Sequence, residues 1–75
     1  MSHVPVLTAA RILRALEHDG FYIHHAKGSH YALRHPVKKH LRVTLPFHGG
    51  DLKRGTLRSI LDQAELSVDE FLQLL

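Results

Sequence analysis

The sequence predicts an α+β domain with the element order α-β-β-β-α-α, in which a three-stranded antiparallel sheet carries its helices on one face. Three observations lead there. Apolar residues recur at i, i+3, i+4 and i+7 near both ends of the 75-residue chain. Between those stretches lie three short segments rich in β-branched, aromatic and apolar residues. The connections joining these segments are short and contain glycine or proline, as hairpin connections do.

Each element has its own signal. Over residues 8–18, Ala9, Ile12, Leu13 and Leu16 form one stripe of an amphipathic helix, with Thr8 placed to cap its start. Gly20 stands where a left-handed C-terminal cap is expected. Segments 21–26, 30–34 and 41–45 read as strands. Lys27-Gly28-Ser29 makes the first turn, and the second connection, 35–40, contains Pro36 and two lysines. In the third strand Leu41, Val43 and Leu45 alternate with Arg42 and Thr44, so one sheet face is buried and the other is wet and basic. Residues 47–51 read as a loop, after which Leu57, Ile60, Leu61 and Ala64 repeat the helical stripe. Ser67 and Glu70 form a capping-box pair ahead of Val68, Phe71, Leu72 and Leu75, a short terminal helix. Residues 1–75 are expected to form a single domain.

Composition narrows the function. With 44% hydrophobic and 23% charged residues the chain suits a soluble globule. No apolar run approaches the roughly 20 residues of a membrane span, and the N-terminus lacks a secretory pattern, so no membrane association and a cytoplasmic location are expected. Without cysteine there is neither a disulfide framework nor a thiolate metal site. The net charge of +3 is unevenly spread: residues 1–20 sum to zero, 21–58 hold eight cations against Asp51 alone, and 59–75 carry four acids. Such a basic middle segment attracts a phosphate backbone by counterion release and long-range steering.

Four motifs follow one another in the chain: Lys27-Gly28-Ser29-His30-Tyr31; Arg34-His35-Pro36; Val43-Thr44-Leu45-Pro46-Phe47-His48-Gly49-Gly50; and Gly55-Thr56-Leu57-Arg58-Ser59-Ile60-Leu61. In this order they resemble the HicA toxin family, over nearly the whole chain from the first helix through Phe71. The resemblance implies a double-stranded-RNA-binding-like fold, a ribonuclease that cleaves messenger RNA, and a HicB-type antitoxin that restrains it. The family's functional histidine lies in its Gly-Ser-His motif, which assigns that role here to His30.

The chemistry of the position agrees. An imidazole can take a proton from a ribose 2′-hydroxyl or give one to a leaving oxygen, with no metal or other cofactor. Gly28 lets the backbone approach a phosphate, Lys27 adds a point charge, and Ser29 orients the histidine or donates to a phosphate oxygen. Arg34 and Arg42 are expected to grip the RNA backbone. Lys53 and Arg54, with Gly55, fall in the first turn of the second helix, where unpaired amides and the helix dipole also favour phosphate. A second proton-transfer group is left open among His24, His25, His35, His40 and His48. His24 and His25, adjacent in a strand, are expected on opposite faces, which counts against a shared metal ion, as does the lack of a His-Glu-x-x-His pattern. Tyr22 and Tyr31 fit either base stacking or packing, and packing is the commoner role of strand aromatics.

Two readings stand on this sequence. One is a metal-independent ribonuclease toxin, monomeric when free, whose partners are RNA and an antitoxin. The other is a noncatalytic RNA-binding module using the same basic surface. Charge supports both, and the intact Gly28-Ser29-His30 set favours catalysis.

Overall fold

A computed structural model describes residues 3–75. Its elements are α1 (Ala9–Asp19), β1 (Tyr22–Lys27), β2 (His30–Arg34), β3 (Arg42–Pro46), α2 (Arg54–Ala64) and α3 (Val68–Leu72). The strands form one antiparallel sheet in the order β1-β2-β3. This is the expected α-β-β-β-α-α fold, with boundaries shifted by a residue where turns take over: Phe21 and Leu41 lie just outside their strands.

The caps act where the sequence places them. Thr8 Oγ1 accepts from Arg11 N at 3.2 Å. Gly20, at φ 114°, closes α1 through its own N–H to Glu17 O and that of Phe21 to Leu16 O. Ser67 and Glu70 satisfy each other's backbone N–H groups in a capping box. The Ser67 backbone N–H donated to the Glu70 carboxylate, and after it the Ser67 side chain, hold that carboxyl below the usual carboxylate range. A carboxyl depressed in this way stabilises the fold above its unfolded pKa and loses that contribution as the pH falls through the folded value. Glu70→Gln should therefore flatten the acid side of the stability profile, as followed by helicity against pH.

α2 ends differently. Its cap, Glu65, is the one non-glycine residue at positive φ among those described, at φ 56°. A side chain with a Cβ is disfavoured there. The Glu65 contact with His40, at 3.3 Å between two exposed side chains, offsets little of that. Glu65→Gly is expected to raise stability by about 0.5–1 kcal/mol, visible as a higher melting temperature.

Buried Ala9, Ile12, Ala15 and Leu16 of α1 meet Leu57, Ile60, Leu61 and Ala64 of α2, Phe71 of α3, and Leu33, Val43 and Leu45 of the sheet in one core cluster. Val4 and Leu52 join it, tied by the bond from Leu52 N to Leu7 O and by Arg54 Nε donating to Val4 O. The helices thus cover one sheet face. β1, at the far edge, keeps all six residues exposed. At the other edge Gln63 Oε1 accepts from Thr44 N at 2.8 Å, which blocks an outward-facing strand amide. Among the described residues no helix is long and apolar enough to cross a membrane.

Candidate active site

His30 begins β2 directly after a two-residue turn. Gly28, the first turn residue, has φ 58°, whereas Ser29 does not take a positive φ. That combination fits a type II′ hairpin, which needs glycine in the first position. Among the described residues nothing lies within 4 Å of where a Gly28 Cβ would stand, so glycine is required here by its backbone angle and not by crowding. The turn is anchored from below: Ser29 O accepts from Phe47 N at 2.6 Å, and the Tyr31 ring stacks on Phe47 with centroids 4.4 Å apart. His30 therefore projects from a braced hairpin into solvent.

The strand register shows what shares its face. His30 pairs with Lys27 on one side and Pro46 on the other; Ala32 pairs with His25 and Thr44; Arg34 pairs with Tyr22 and Arg42. Directly paired residues lie on the same side of an antiparallel sheet. Since Leu33, Val43 and Leu45 are buried, the opposite, open face carries Tyr22, His25, Lys27, His30, Arg34 and Arg42. Four of the sequence-predicted site residues, Lys27, His30, Arg34 and Arg42, are thus brought together, and no Asp or Glu occurs from 20 to 50 to neutralise them.

Beside His30 the open face meets α2 in a groove of about 440 Å³. His30, Thr44 and Pro46 form its sheet side, and Gly55, Thr56, Ser59 and Gln63 its helix side. Lys53 is the N-cap residue of α2 and makes no side-chain cap bond. It lines an adjoining groove of about 290 Å³ that shares Pro46 and Thr56 with the first. Arg54, whose Nε is bonded to Val4 O, lines neither groove. The arrangement offers a phosphodiester one imidazole, neighbouring cations, hydroxyls and the start of a helix.

A family model for the HicA toxin of bacterial toxin–antitoxin systems matches residues 9–66 of this 75-residue chain. The chain belongs to the HicA toxin family. No match is found among curated proteins. The matched span takes in α1, the whole sheet with the Gly28-Ser29-His30 turn, and all of α2. As a HicA-family member the protein has a toxin's place in a toxin–antitoxin partnership.

In this HicA-family fold the five histidines that the sequence left equivalent become distinct. His35 is buried at 7% exposure. Its Nδ1 accepts from Val37 N and Lys38 N, and its Nε2 donates to Asp19 O at 2.9 Å. With Phe21 edge-on to it at 5.0 Å, His35 is a structural plug between α1 and the loop after β2 and is removed from the list of proton-transfer groups. His40 faces Glu65 across 3.3 Å, and His48 Nδ1 is bonded to Gly49 O. His24 occupies a bulge where the β1–β2 register slips, so the strict alternation that put it opposite His25 does not hold. His25 is the one whose strand pairing places it on the face of His30, on a diagonal of the ladder where residues stand about 7–8 Å apart and their Cβ atoms somewhat closer. Among the described residues no three histidine or acid side chains are grouped to hold a metal ion. Sequence reasoning missed Thr44 of β3 and Thr56, Ser59 and Gln63 of α2; single polar residues on a strand or a helix flank carry no signal until the groove exists.

Proposed function

We propose that this HicA-family toxin is a ribonuclease that cleaves messenger RNA by histidine proton transfer, and that a HicB-type antitoxin restrains it by covering the basic face. One observation carries the reading: an exposed histidine on a braced hairpin stands between three cations of an acid-free sheet face and the groove at the start of α2. His30 takes the proton of a ribose 2′-hydroxyl, the 2′-oxygen attacks the adjacent phosphorus, and the bond to the 5′-oxygen breaks. His25 returns a proton to that leaving oxygen. The products are a 2′,3′-cyclic phosphate and a 5′-hydroxyl end, and because the nucleophile is the substrate's own hydroxyl the scheme needs no metal ion. Lys27, Arg34, Arg42 and Lys53 hold the backbone, and the amide-rich start of α2 favours a phosphate in the groove. The antitoxin is expected to present acids to the same cations. The free toxin acts as a monomer in the cytoplasm, where its RNA and its partner are.

The test is to incubate the protein with a structured RNA in excess chelator and identify the ends. Cyclic phosphate ends, abolished by a 2′-deoxy sugar at the cut site, are expected. RNA that is bound but never cut would move the protein to the noncatalytic RNA-binding reading. His25→Ala should slow RNA cleavage by about 10²-fold, yet leave unchanged a substrate whose leaving group is a nitrophenolate, which departs without a proton. Arg42→Ala should reduce by about one the slope of log affinity against log salt, measured by titration.

A further inference from the structure

The chemistry at His30 leaves the far end of the open face unused. There Tyr22, Arg34 and Arg42 stand side by side across the three strands. Tyr22 is 45% exposed. The chain's other tyrosine, Tyr31, is covered by its stacking on Phe47. Nor does simple alternation put Tyr22 on this face: stepping back by twos from Lys27 and His25 reaches Ile23. The bulge at His24 adds one residue and reverses the order, so Ile23 pairs with buried Leu33 and Tyr22 joins the basic face beside Arg34. Bulges re-aim side chains in this way at binding surfaces.

The two arginines add a second, independent signal. They are directly opposite one another, an arrangement of like charges that weakens a sheet. Among the described residues Arg34 Nε is also covered by its surroundings without a hydrogen-bond acceptor. That atom is out of a ligand's reach, so an anion would meet this guanidinium through its terminal nitrogens. An exposed aromatic ring beside two guanidiniums that lack acids matches the chemistry of a nucleotide, with a flat base for the ring and an anion for the cations.

We infer that Tyr22, Arg34 and Arg42 form a subsite for an unpaired nucleotide, its base stacked on the Tyr22 ring and its phosphate held by the two guanidiniums. This rests on the RNA reading above and adds a substrate class: the RNA is single-stranded at this point, because a base inside a duplex has no free face to offer. His30 and Arg34 are four residues apart on β2, about 13 Å at roughly 3.3 Å per residue. The subsite therefore positions the strand at a distance from the cut bond and takes no part in the proton transfers.

The chain has two tyrosines and no tryptophan, so in a Tyr31→Phe background the emission of Tyr22 can be read alone. The probes are a short 2′-O-methyl RNA strand, which lacks the nucleophile and cannot be cut, its abasic counterpart of equal length and charge, and a duplex of the same sequence. The single strand is expected to quench Tyr22 emission. In the otherwise unaltered protein, Tyr22→Phe should keep the affinity and Tyr22→Ala should weaken single-strand binding about tenfold or more, leaving the abasic strand, the duplex and the melting temperature unchanged. An equal loss on all three probes, or no loss on any, overturns the subsite. If the unaltered protein binds all three with steep salt dependence while Tyr22→Ala is silent, the subsite alone falls. If it binds none of them, the RNA reading falls and the subsite with it.

Discussion

Replacing His30 by alanine is expected to slow RNA cleavage by about 10²- to 10⁴-fold, the usual contribution of a positioned proton-transfer group. The fold should be untouched. His30 is exposed at the first residue of β2, and among the described residues its ring has no hydrogen-bond partner to lose. Exposed substitutions of that kind stay within about 0.5 kcal/mol. RNA affinity should fall little as well, since Lys27, Arg34 and Arg42 supply the electrostatic attraction, so binding and melting serve as internal controls. Single-turnover cleavage with saturating protein isolates the chemical step. A variant that binds and cuts at the parent rate would remove His30 from the mechanism and move attention to His25.

Gly20→Ala is expected to be the most damaging single substitution outside the core, costing about 2–4 kcal/mol. Two effects combine at this residue. Its φ of 114° is one that a residue with a Cβ rarely adopts. The new methyl would also stand 2.8 Å from His35 Nε2, which cannot withdraw without releasing its bond to Asp19 O. For a domain of this size the total stability is about 4–11 kcal/mol, so melting should drop by roughly 10–30 °C. Circular dichroism melts give the measurement, and a double-mutant cycle gives the cause. In a His35→Ala background the collision is gone, so Gly20→Ala should cost distinctly less than in the parent. A cycle with no coupling would mean that the backbone angle alone accounts for the loss.

The His35 contacts explain why the sequence could single out one candidate histidine and not sort the others. His30 stands out as a candidate because a glycine turn, a family motif and a basic segment coincide there. His24, His25, His35, His40 and His48 carry no such distinguishing neighbours. What separates them is which ring is enclosed, and that depends on α1 ending at Gly20 against the loop after β2. The N-terminal segment was likewise silent: Val4 is buried only because Leu52 and Arg54, some fifty residues later, are folded back onto it.

By itself the sequence determined the order and type of the six elements, the three caps at Thr8, Gly20 and Ser67, the basic open face, and the family. These follow from local properties: hydrophobic period, backbone angles that one residue type adopts, and the charge of a segment. Only the tertiary structure decided that His35 is a plug, that α2 closes a groove beside His30, and that Tyr22 stands on the open, basic face of the sheet. The last of these turns on a single bulged residue. Alternation propagates along a strand until one extra residue enters the ladder, and whether it enters is settled by the pairing of β1 with β2, which periodicity within β1 does not encode.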